Sequence, residues 1–349
     1  MSTLKVTNIE SPSGGGVNAK ITDINGGQLS NRNLIINGDM RIAQRGTSFS
    51  TNNDRNFGVD RFACNASANT TITYSQETDA PAGFSNSLKA TITSANSSRQ
   101  AGDTNYVLQA IEGYNSANLN FGSSNAKTFT LSFYVKSSVT GTYGIGFANN
   151  GSTRVRHTSY TINSANTWER KTITVPGDTS GTWLTNSGIG LVPIWDLGMG
   201  TNYESDVIDT WDAGEDYRKS SYVNLSLTGS ATWQLTGVQL EVGDVATVFE
   251  HRNITDEIAK CQRYYQNGAC WIIGFGSTGA FVGSAQNFNT YMRANNPNVV
   301  LGTPSENVNF GSIGAPAVFG NGFRLFGTIT TGTNINAYYS NTFTASAEL

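Results

Sequence analysis

Alternating apolar and polar residues mark the clearest strands of this chain. From Thr128 to Lys136 the odd positions are all apolar, and the even positions are mostly Thr, Ser or Lys. A period of two sends successive side chains to opposite faces of a sheet, so one face of this strand is predicted to be buried. A second strand is predicted from Glu169 to Val175, where Pro176-Gly177-Asp178 ends it.

The apolar pattern changes phase near residue 237. Trp233 and Leu235 occupy odd positions, whereas Leu240 and Val242 occupy even positions. A β-bulge at Gly237 would restore the inward direction of the apolar side chains. The polar residues that alternate with them are then expected to point outward from a strand at a sheet edge; they are Gln239 and Glu241.

The chain is predicted to be all-β and to have four parts. Residues 33–250 carry strands at the spacing of an antiparallel jelly-roll sandwich. Residues 267–349 form a smaller C-terminal β domain, whose small core would be helped by oligomerisation. Residues 251–266 form a short connecting helix capped by Thr255, and residues 1–32 form an extended N-terminal arm.

The arm contains two short strand patterns separated by a glycine-rich break. Leu4, Val6 and Ile9 belong to the first, and Ile21 and Ile24 to the second. Two isolated strands are not stable in water, so these five residues are expected to dock the chain onto another molecule. A frayed terminus is the alternative.

Composition excludes several classes of protein. Only 13% of the residues are charged and 38 are glycines, which favours tight turns over long helices. The net charge is −3 and no basic stripe is visible, so nucleic acid is not an expected partner. The sequence shows neither a signal peptide nor an apolar run of membrane-spanning length. Synthesis in a cytoplasm and no membrane insertion are therefore expected.

The three cysteines and two histidines do not form a recognisable reactive site. Cys64, Cys261 and Cys270 lack metal-ligand spacing and are expected to be free, largely buried thiols. His157 and His251 have no nucleophile motif beside them. No metal, no other cofactor and no enzymatic activity are therefore expected.

Several segments occur in an order that is similar to one known family. They are Leu4-Lys5-Val6-Thr7, Asn33-Leu34-Ile35-Ile36-Asn37-Gly38-Asp39-Met40, Val59-Asp60-Arg61-Phe62, Gly237-Val238-Gln239-Leu240-Glu241-Val242-Gly243, Cys261-Gln262-Arg263-Tyr264-Tyr265 and Met292-Arg293-Ala294. They resemble stretches of the tail-fibre and related virion structural proteins of tailed bacteriophages, notably those of cyanobacteria and other aquatic bacteria. Within them, Asp60 and Arg61 are expected to form an ion pair that closes the sandwich.

The resemblance implies a carbohydrate-module-like jelly roll, a homotrimer and a place on the virion after assembly in the host cytoplasm. It implies a tail fibre or similar appendage that adsorbs to a host surface glycan and contacts other virion proteins through its arm. The alternative is a purely architectural capsid-decoration or tail-collar protein that binds only other virion proteins. A secreted carbohydrate-binding module is a third interpretation, which the missing signal peptide disfavours.

An acidic segment with interleaved aromatic rings is the first candidate for sugar binding. Trp195, Tyr203, Trp211 and Tyr217 alternate with carboxylates that include Asp212 and Glu215. Aromatic faces stack on the C–H groups of sugars while carboxylates accept hydroxyl hydrogens. A solvated acidic loop or a structural Ca²⁺ site is the alternative. Glycoside hydrolysis is disfavoured because it needs a positioned carboxylate pair, one with a raised pKa.

The C-terminal domain is the second candidate for sugar binding. Trp271, Tyr338 and Tyr339 would contribute aromatic contacts at the distal end of a fibre, where three copies multiply weak affinities. Alternatively, Tyr338 and Tyr339 are neighbouring strand residues that face opposite sides of the sheet.

Overall fold

The computed structural model describes residues 30–96 and 98–349, and it confirms the predicted all-β class. The proposed attachment residues lie outside the described residues: Leu4, Val6, Ile9, Ile21 and Ile24. None of the helices in the described part has the length and hydrophobicity that crossing a bilayer requires.

Two antiparallel sheets face each other in the first domain. Their strands are β1 (Ser48–Thr51), β2 (Asp54–Phe57), β3 (Ala63–Ala66), β4 (Thr71–Glu77), β5 (Ser87–Ser94), β6 (Tyr106–Leu108), β7 (Ile111–Glu112), β8 (Phe129–Ser137), β9 (Gly141–Ala148), β10 (Val155–Ile162), β11 (Glu169–Val175), β12 (Ile189–Asp196) and β13 (Thr232–Val242). The six-stranded sheet has the order β1-β4-β5-β13-β8-β11. The seven-stranded sheet has the order β10-β9-β12-β6-β3-β2, and β7 also pairs with β12. A short helix, α1, spans Gly113–Ser116.

The core of this sandwich lies between the two sheets and is rich in aromatic rings. Phe129, Leu131, Phe133 and Val135 of β8 are fully buried, which confirms the predicted apolar face, although Thr130 and Ser132 on the other face are buried as well. The ring of Phe133 meets that of Trp195 edge-on, with 5.7 Å between their centroids. Aromatic pairs in this geometry contribute beyond the area that they bury.

The predicted bulge in β13 is present. The register between β13 and β8 shifts between Thr236 and Gln239, and Gly237 has φ of 60°. A Cβ on Gly237 would lie 2.7 Å from the ring of Phe84, so both backbone conformation and space require glycine here. The bulge allows Trp233 and Leu240 to be buried on the same side.

The position of β13 in the sheet was predicted wrongly. It lies between β5 and β8 rather than at an edge, and Gln239 and Glu241 are buried. Residues 247–250 cover them: the Gln239 amide donates to Thr247 Oγ1 at 3.0 Å, and the Glu250 backbone N–H donates to Gln239 Oε1 at 2.7 Å. Buried polar side chains are normally paired in this way.

Helix α2 spans Ile254–Gln262 and follows the sandwich. Its N-cap is Asn253 and not the predicted Thr255. The Asn253 side-chain oxygen accepts the Thr255 backbone N–H at 2.9 Å, as an N-cap does for a donor of the first turn.

The C-terminal domain is a second, smaller sandwich. Its strands are β14 (Tyr265–Gly276), β15 (Phe281–Asn287), β16 (Asn298–Leu301), β17 (Glu306–Val308), β18 (Phe310–Ile313), β19 (Ala317–Phe319), β20 (Gly322–Ile329) and β21 (Ile335–Ser346). One sheet has the order β14-β21-β16, with β17 also on β21; the other has the order β15-β20-β18, with β19 also on β20. Cys64, Cys261 and Cys270 are buried and free, as predicted.

A buried polar joint connects the two sandwiches. The Glu112 carboxylate accepts two hydrogen bonds from Arg263, at 2.9 and 2.6 Å, and one from the Tyr264 hydroxyl at 2.8 Å. Arg61 packs over the Tyr264 ring and pairs with Glu348.

The expected ion pair between Asp60 and Arg61 is therefore wrong. Asp60 instead accepts the backbone N–H of Gln44 at 2.9 Å, and burial raises the pKa of its carboxyl. Arg61 instead pairs across the joint with Glu348, which lies close to the end of the chain. The sequence does not indicate this pair, because the two residues are far apart along the chain.

Candidate functional site: a tyrosine-lined groove

The outward face of the seven-stranded sheet is apolar, although it lies away from the main core. In β12, Leu191 and Trp195 belong to the core between the sheets, whereas Val192 and Ile194 belong to a second cluster on the opposite face. Leu108 of β6 joins that second cluster. Strands that are apolar at both odd and even positions are typical of sheets covered on both faces.

Residues 197–222 supply part of the cover. The ring of Tyr217 packs where Gly146 leaves space, since a Cβ at Gly146 would lie 2.6 Å from it. The rings of Tyr203 and Tyr217 stack with 6.3 Å between centroids. The Tyr217 hydroxyl and Ser152 Oγ share a hydrogen bond of 2.8 Å.

A groove of about 310 Å³ remains open beside these rings. Tyr106, Tyr203 and Tyr217 contribute three aromatic rings to its lining. The complete lining is Arg55, Thr104, Tyr106, Leu108, Ala110, Ala148, Asn149, Gly151, Ser152, Ile189, Val192, Ile194, Met199, Tyr203, Glu215 and Tyr217. An apolar floor with a few polar groups at its rim is the usual composition of a ligand site.

Arg218 holds the covering segment in place. Its guanidinium is fully buried and donates to the carbonyls of Met199 at 3.1 Å and Tyr222 at 2.7 Å. It also lies 3.3 Å from the Asp196 carboxylate, whose other oxygen accepts the Met199 backbone N–H at 2.7 Å. Burial raises the pKa of Asp196, and the charge of Arg218 opposes this. These contacts fix the segment that carries Tyr203 and Tyr217.

The tyrosine hydroxyls of the groove remain protonated near neutral pH. Burial raises the pKa of Tyr106 and Tyr203, and it raises the pKa of Tyr217 to about 12. The negative charge of Glu215 also raises the pKa of all three tyrosines. Each hydroxyl can therefore donate and accept hydrogen bonds beside an aromatic surface.

Of the four residues proposed as sugar contacts in the acidic segment, the structure brings Tyr203 to the groove, and Glu215 and Tyr217 of the same segment line it as well. Trp195 is fully buried in the core, so its prediction as a sugar contact is wrong. Trp211 packs edge-on against Phe121 and Trp183, and neither Trp211 nor Asp212 lines the groove. Asp212 exchanges two backbone hydrogen bonds with Val155, which ties its loop to β10.

The C-terminal candidates form a separate group. Tyr339 is 3% exposed and belongs to the core of that domain, so it was predicted wrongly. Trp271 is 48% exposed, and Tyr338 is partly exposed on the same outward face. Tyr338 and Tyr339 thus face opposite sides of β21, which is the alternative that the sequence left open.

Sequence reasoning did not identify Tyr106 and Asn149 as residues of the groove. The sequence did contain one indication of the groove. β6 and β12 are apolar at both odd and even positions, which indicates that both faces of their sheet are covered. Tyr106 lies on the same face as Leu108, two residues along that strand.

No group of three or more His, Cys, Asp or Glu side chains that could hold a metal ion occurs in residues 30–96 and 98–349. The carboxylates of the acidic segment are used differently. Asp196 and Glu204 both approach Arg218, and Glu204 also pairs with Arg99.

Comparison with known proteins gives similar structures but no similar sequences. No protein-family model and no curated protein matches the chain. A putative sugar-binding protein from Bacteroides thetaiotaomicron is 11% identical with a TM-score of 0.34, over 60% of this chain and 100% of that one. The tailspike protein 4 of bacteriophage CBA120 is 14% identical with a TM-score of 0.30, over 60% of this chain and 21% of that one.

A xylan-binding domain of the CBM22-1 type from Paenibacillus barcinonensis Xyn10C is 10% identical with a TM-score of 0.28, over 61% of this chain and 96% of that one. At these identities and TM-scores the likenesses assign neither a ligand nor an activity to this chain.

Proposed function

We propose that this chain is a non-catalytic, glycan-binding subunit of a bacteriophage virion appendage, and that it holds the glycan in the tyrosine-lined groove. The observation that supports glycan binding is the convergence of Tyr106, Tyr203 and Tyr217 on one open groove above an apolar floor. A sugar ring presents both C–H faces and hydroxyls, and a tyrosine offers an aromatic face and a hydroxyl in return.

The polar groups of the rim suit a neutral or weakly charged saccharide. Thr104 and Ser152 provide hydroxyl groups, and the groove contains one basic and one acidic side chain, Arg55 and Glu215. Hydroxyl partners pair with sugar hydroxyls without the desolvation cost of a buried ion pair.

The lining also supports binding without turnover. Glu215 is the single carboxylate among the lining residues, whereas glycoside hydrolysis generally uses a pair of carboxylates, one to protonate the leaving group. Incubation of the protein with the bound polysaccharide should therefore release no reducing ends.

The segments that resemble phage virion proteins meet in the fold, which supports a structural role for them. Asn33 donates to the Val238 carbonyl at 2.9 Å and accepts the Leu240 backbone N–H at 3.1 Å. Asn37 donates to the Asp60 carbonyl at 3.0 Å, and its own backbone N–H reaches Glu257. The resemblance of these segments is the basis on which we propose a virion protein that works as a homotrimer, with residues 1–32 docked on the particle.

Titration of the purified full-length protein with oligosaccharides from the host surface tests this function. Tyr106→Ala and Tyr203→Ala should each weaken binding about tenfold, because a lost aromatic contact costs on the order of 1–1.5 kcal/mol. Tyr291→Ala is the matched control, since Tyr291 is 69% exposed and lies outside the groove; its affinity should be unchanged.

Equal losses in all three variants, or no saturable binding by the wild type, would contradict the glycan-binding function. If the protein instead binds only capsid or tail components, the architectural alternative replaces it.

A further inference from the structure

The C-terminal domain leaves an apolar sheet face bare. On β14 the outward side chains of Trp271, Ile273 and Phe275 are 48%, 66% and 65% exposed. Tyr338 of β21 pairs with Ile273 on one side and with Val308 of β17 on the other, so the apolar surface continues across three strands. We call these five residues the β14 face.

The β14 face carries almost no charge. At the outward positions of β14, β21, β16 and β17, the single ionisable carboxylate is Glu306, and the remaining polar residues are Asn, Ser and Thr. Val300 of β16, 51% exposed, adds to the apolar area. An apolar surface with so little charge is typical of interfaces between chains that stay associated.

In the sandwich domain, by contrast, the outward apolar face is covered. There the chain covers Val192 and Ile194 with residues that include Tyr217, and leaves them 8% and 6% exposed. No such segment lies over the β14 face in the described part of the chain, where Ile273 and Phe275 remain about two-thirds exposed. The cover for this face must therefore come from outside the described part of the chain.

We propose that the β14 face joins copies of this chain. A second copy presents an equally uncharged face, so neither side has to desolvate an unpaired ion on contact. Aromatic side chains carry on the order of 200 Å² each, so at these exposures the five residues present roughly 400–500 Å² of apolar surface. That matches the apolar share, a little over half, of the roughly 800 Å² per partner in a standard stable interface.

Glycan is a poorer occupant of this face than a second copy. Ile273, Phe275 and Val308 offer no hydrogen-bonding side chain to sugar hydroxyls, which would lose their hydration on contact. This inference rests on the homotrimer of the proposed function and assigns its interface, whereas it is independent of glycan binding. Joined copies would present several grooves to one surface and raise the avidity.

Sedimentation of the full-length protein between about 1 and 100 µM tests this interface. The wild type should sediment as an oligomer, and Ile273→Glu and Phe275→Glu should each raise the dissociation constant at least about 100-fold, because each variant buries an unpaired carboxylate. Val248→Glu is the control: Val248 is 82% exposed and lies in the sandwich domain, so its assembly should match the wild type.

A monomeric wild type over this concentration range, or oligomers that persist in both β14 variants, would overturn the proposal. Circular dichroism spectra should match between the variants and the wild type, since the substituted side chains are exposed in the single chain. The melting temperature of the wild type alone should rise with protein concentration, because only the wild type gains stability from association. Glycan titration of the dissociated variants should return the wild-type affinity per groove, which separates a failure of assembly from a failure of glycan binding.

Discussion

His157 shows how the sandwich isolates a titratable side chain under its covering loop. It lies on β10 at 2% exposure, and its backbone carbonyl accepts the N–H of Asp209 at 2.9 Å. Burial lowers the pKa of the imidazole from its ordinary value, and the nearby carboxylates of Asp216 and Asp209 only partly oppose this. The neutral form of His157 is therefore the one that the fold accommodates.

The stability of the protein should consequently fall as the pH decreases through 6.5. The unfolded chain binds a proton on His157 at a higher pH than the folded chain does, so protonation favours unfolding in that window. The urea midpoint should be lower at pH 5 than at pH 7, and His157→Gln should reduce this difference. His251→Gln provides the control, and a pH dependence unaffected by His157→Gln would contradict the account.

At the residue scale, the sequence identified aromatic candidates but could not separate core from surface. Trp195 and Tyr203 occur in the same acidic segment, yet one is in the core and the other lines the groove. Alternation does not show which way Trp195 points, because β12 is apolar at both odd and even positions. The alternation was decisive in β8, where the even positions are mostly polar.

At the scale of elements, Arg218 should determine the conformation of the groove wall. Arg218→Met leaves the fully buried Asp196 without its cationic partner, which should cost about 3–5 kcal/mol of unfolding free energy and weaken glycan binding as Tyr203 loses its support. Lys219→Met is the matched control, because its partner Asp206 is 88% exposed; that surface pair should contribute little.

Chemical denaturation gives the stability of both variants, and titration gives their affinities. Equal stability of Arg218→Met and Lys219→Met would show that the buried pair does not hold residues 197–222.

The bounds of individual strands were more predictable than the order of the strands in the sheets. The strand predicted from Glu169 to Val175 has those bounds as β11, and the bulge at Gly237 follows from the local phase change. Local patterns contain this information because a strand alternates and a bulge changes its phase. That β13 lies between β5 and β8 depends on pairing between residues far apart in the chain, which no local pattern encodes.

At the scale of the whole molecule, the groove exists because the sheet order gathers distant parts of the chain. Arg55, Tyr106, Asn149 and Tyr203 come from separate strands and loops, and β6 and β12 become neighbours only in the folded sheet. The all-β class was predictable from composition and alternation. The identity of the groove was not, since it depends on which strands pair.

The polar joint between the sandwiches is likewise a property of the complete fold. Glu112 ends β7 in the first domain, whereas Arg263 and Tyr264 follow the helix that leads to the second. A buried carboxylate with three donors fixes the geometry of the chain at this point. The groove and the β14 face are therefore carried by connected sandwiches, one proposed to bind glycan and the other to join copies.

Hydrogen–deuterium exchange of the full-length protein, with and without host polysaccharide, tests the central claim most directly. The account predicts that glycan slows exchange in β6, at the end of β9 and in residues 197–222, and leaves exchange in β14 and β21 unchanged. Protection confined to the strands that carry Trp271 and Tyr338, or no protection in the groove at saturating glycan, would contradict it.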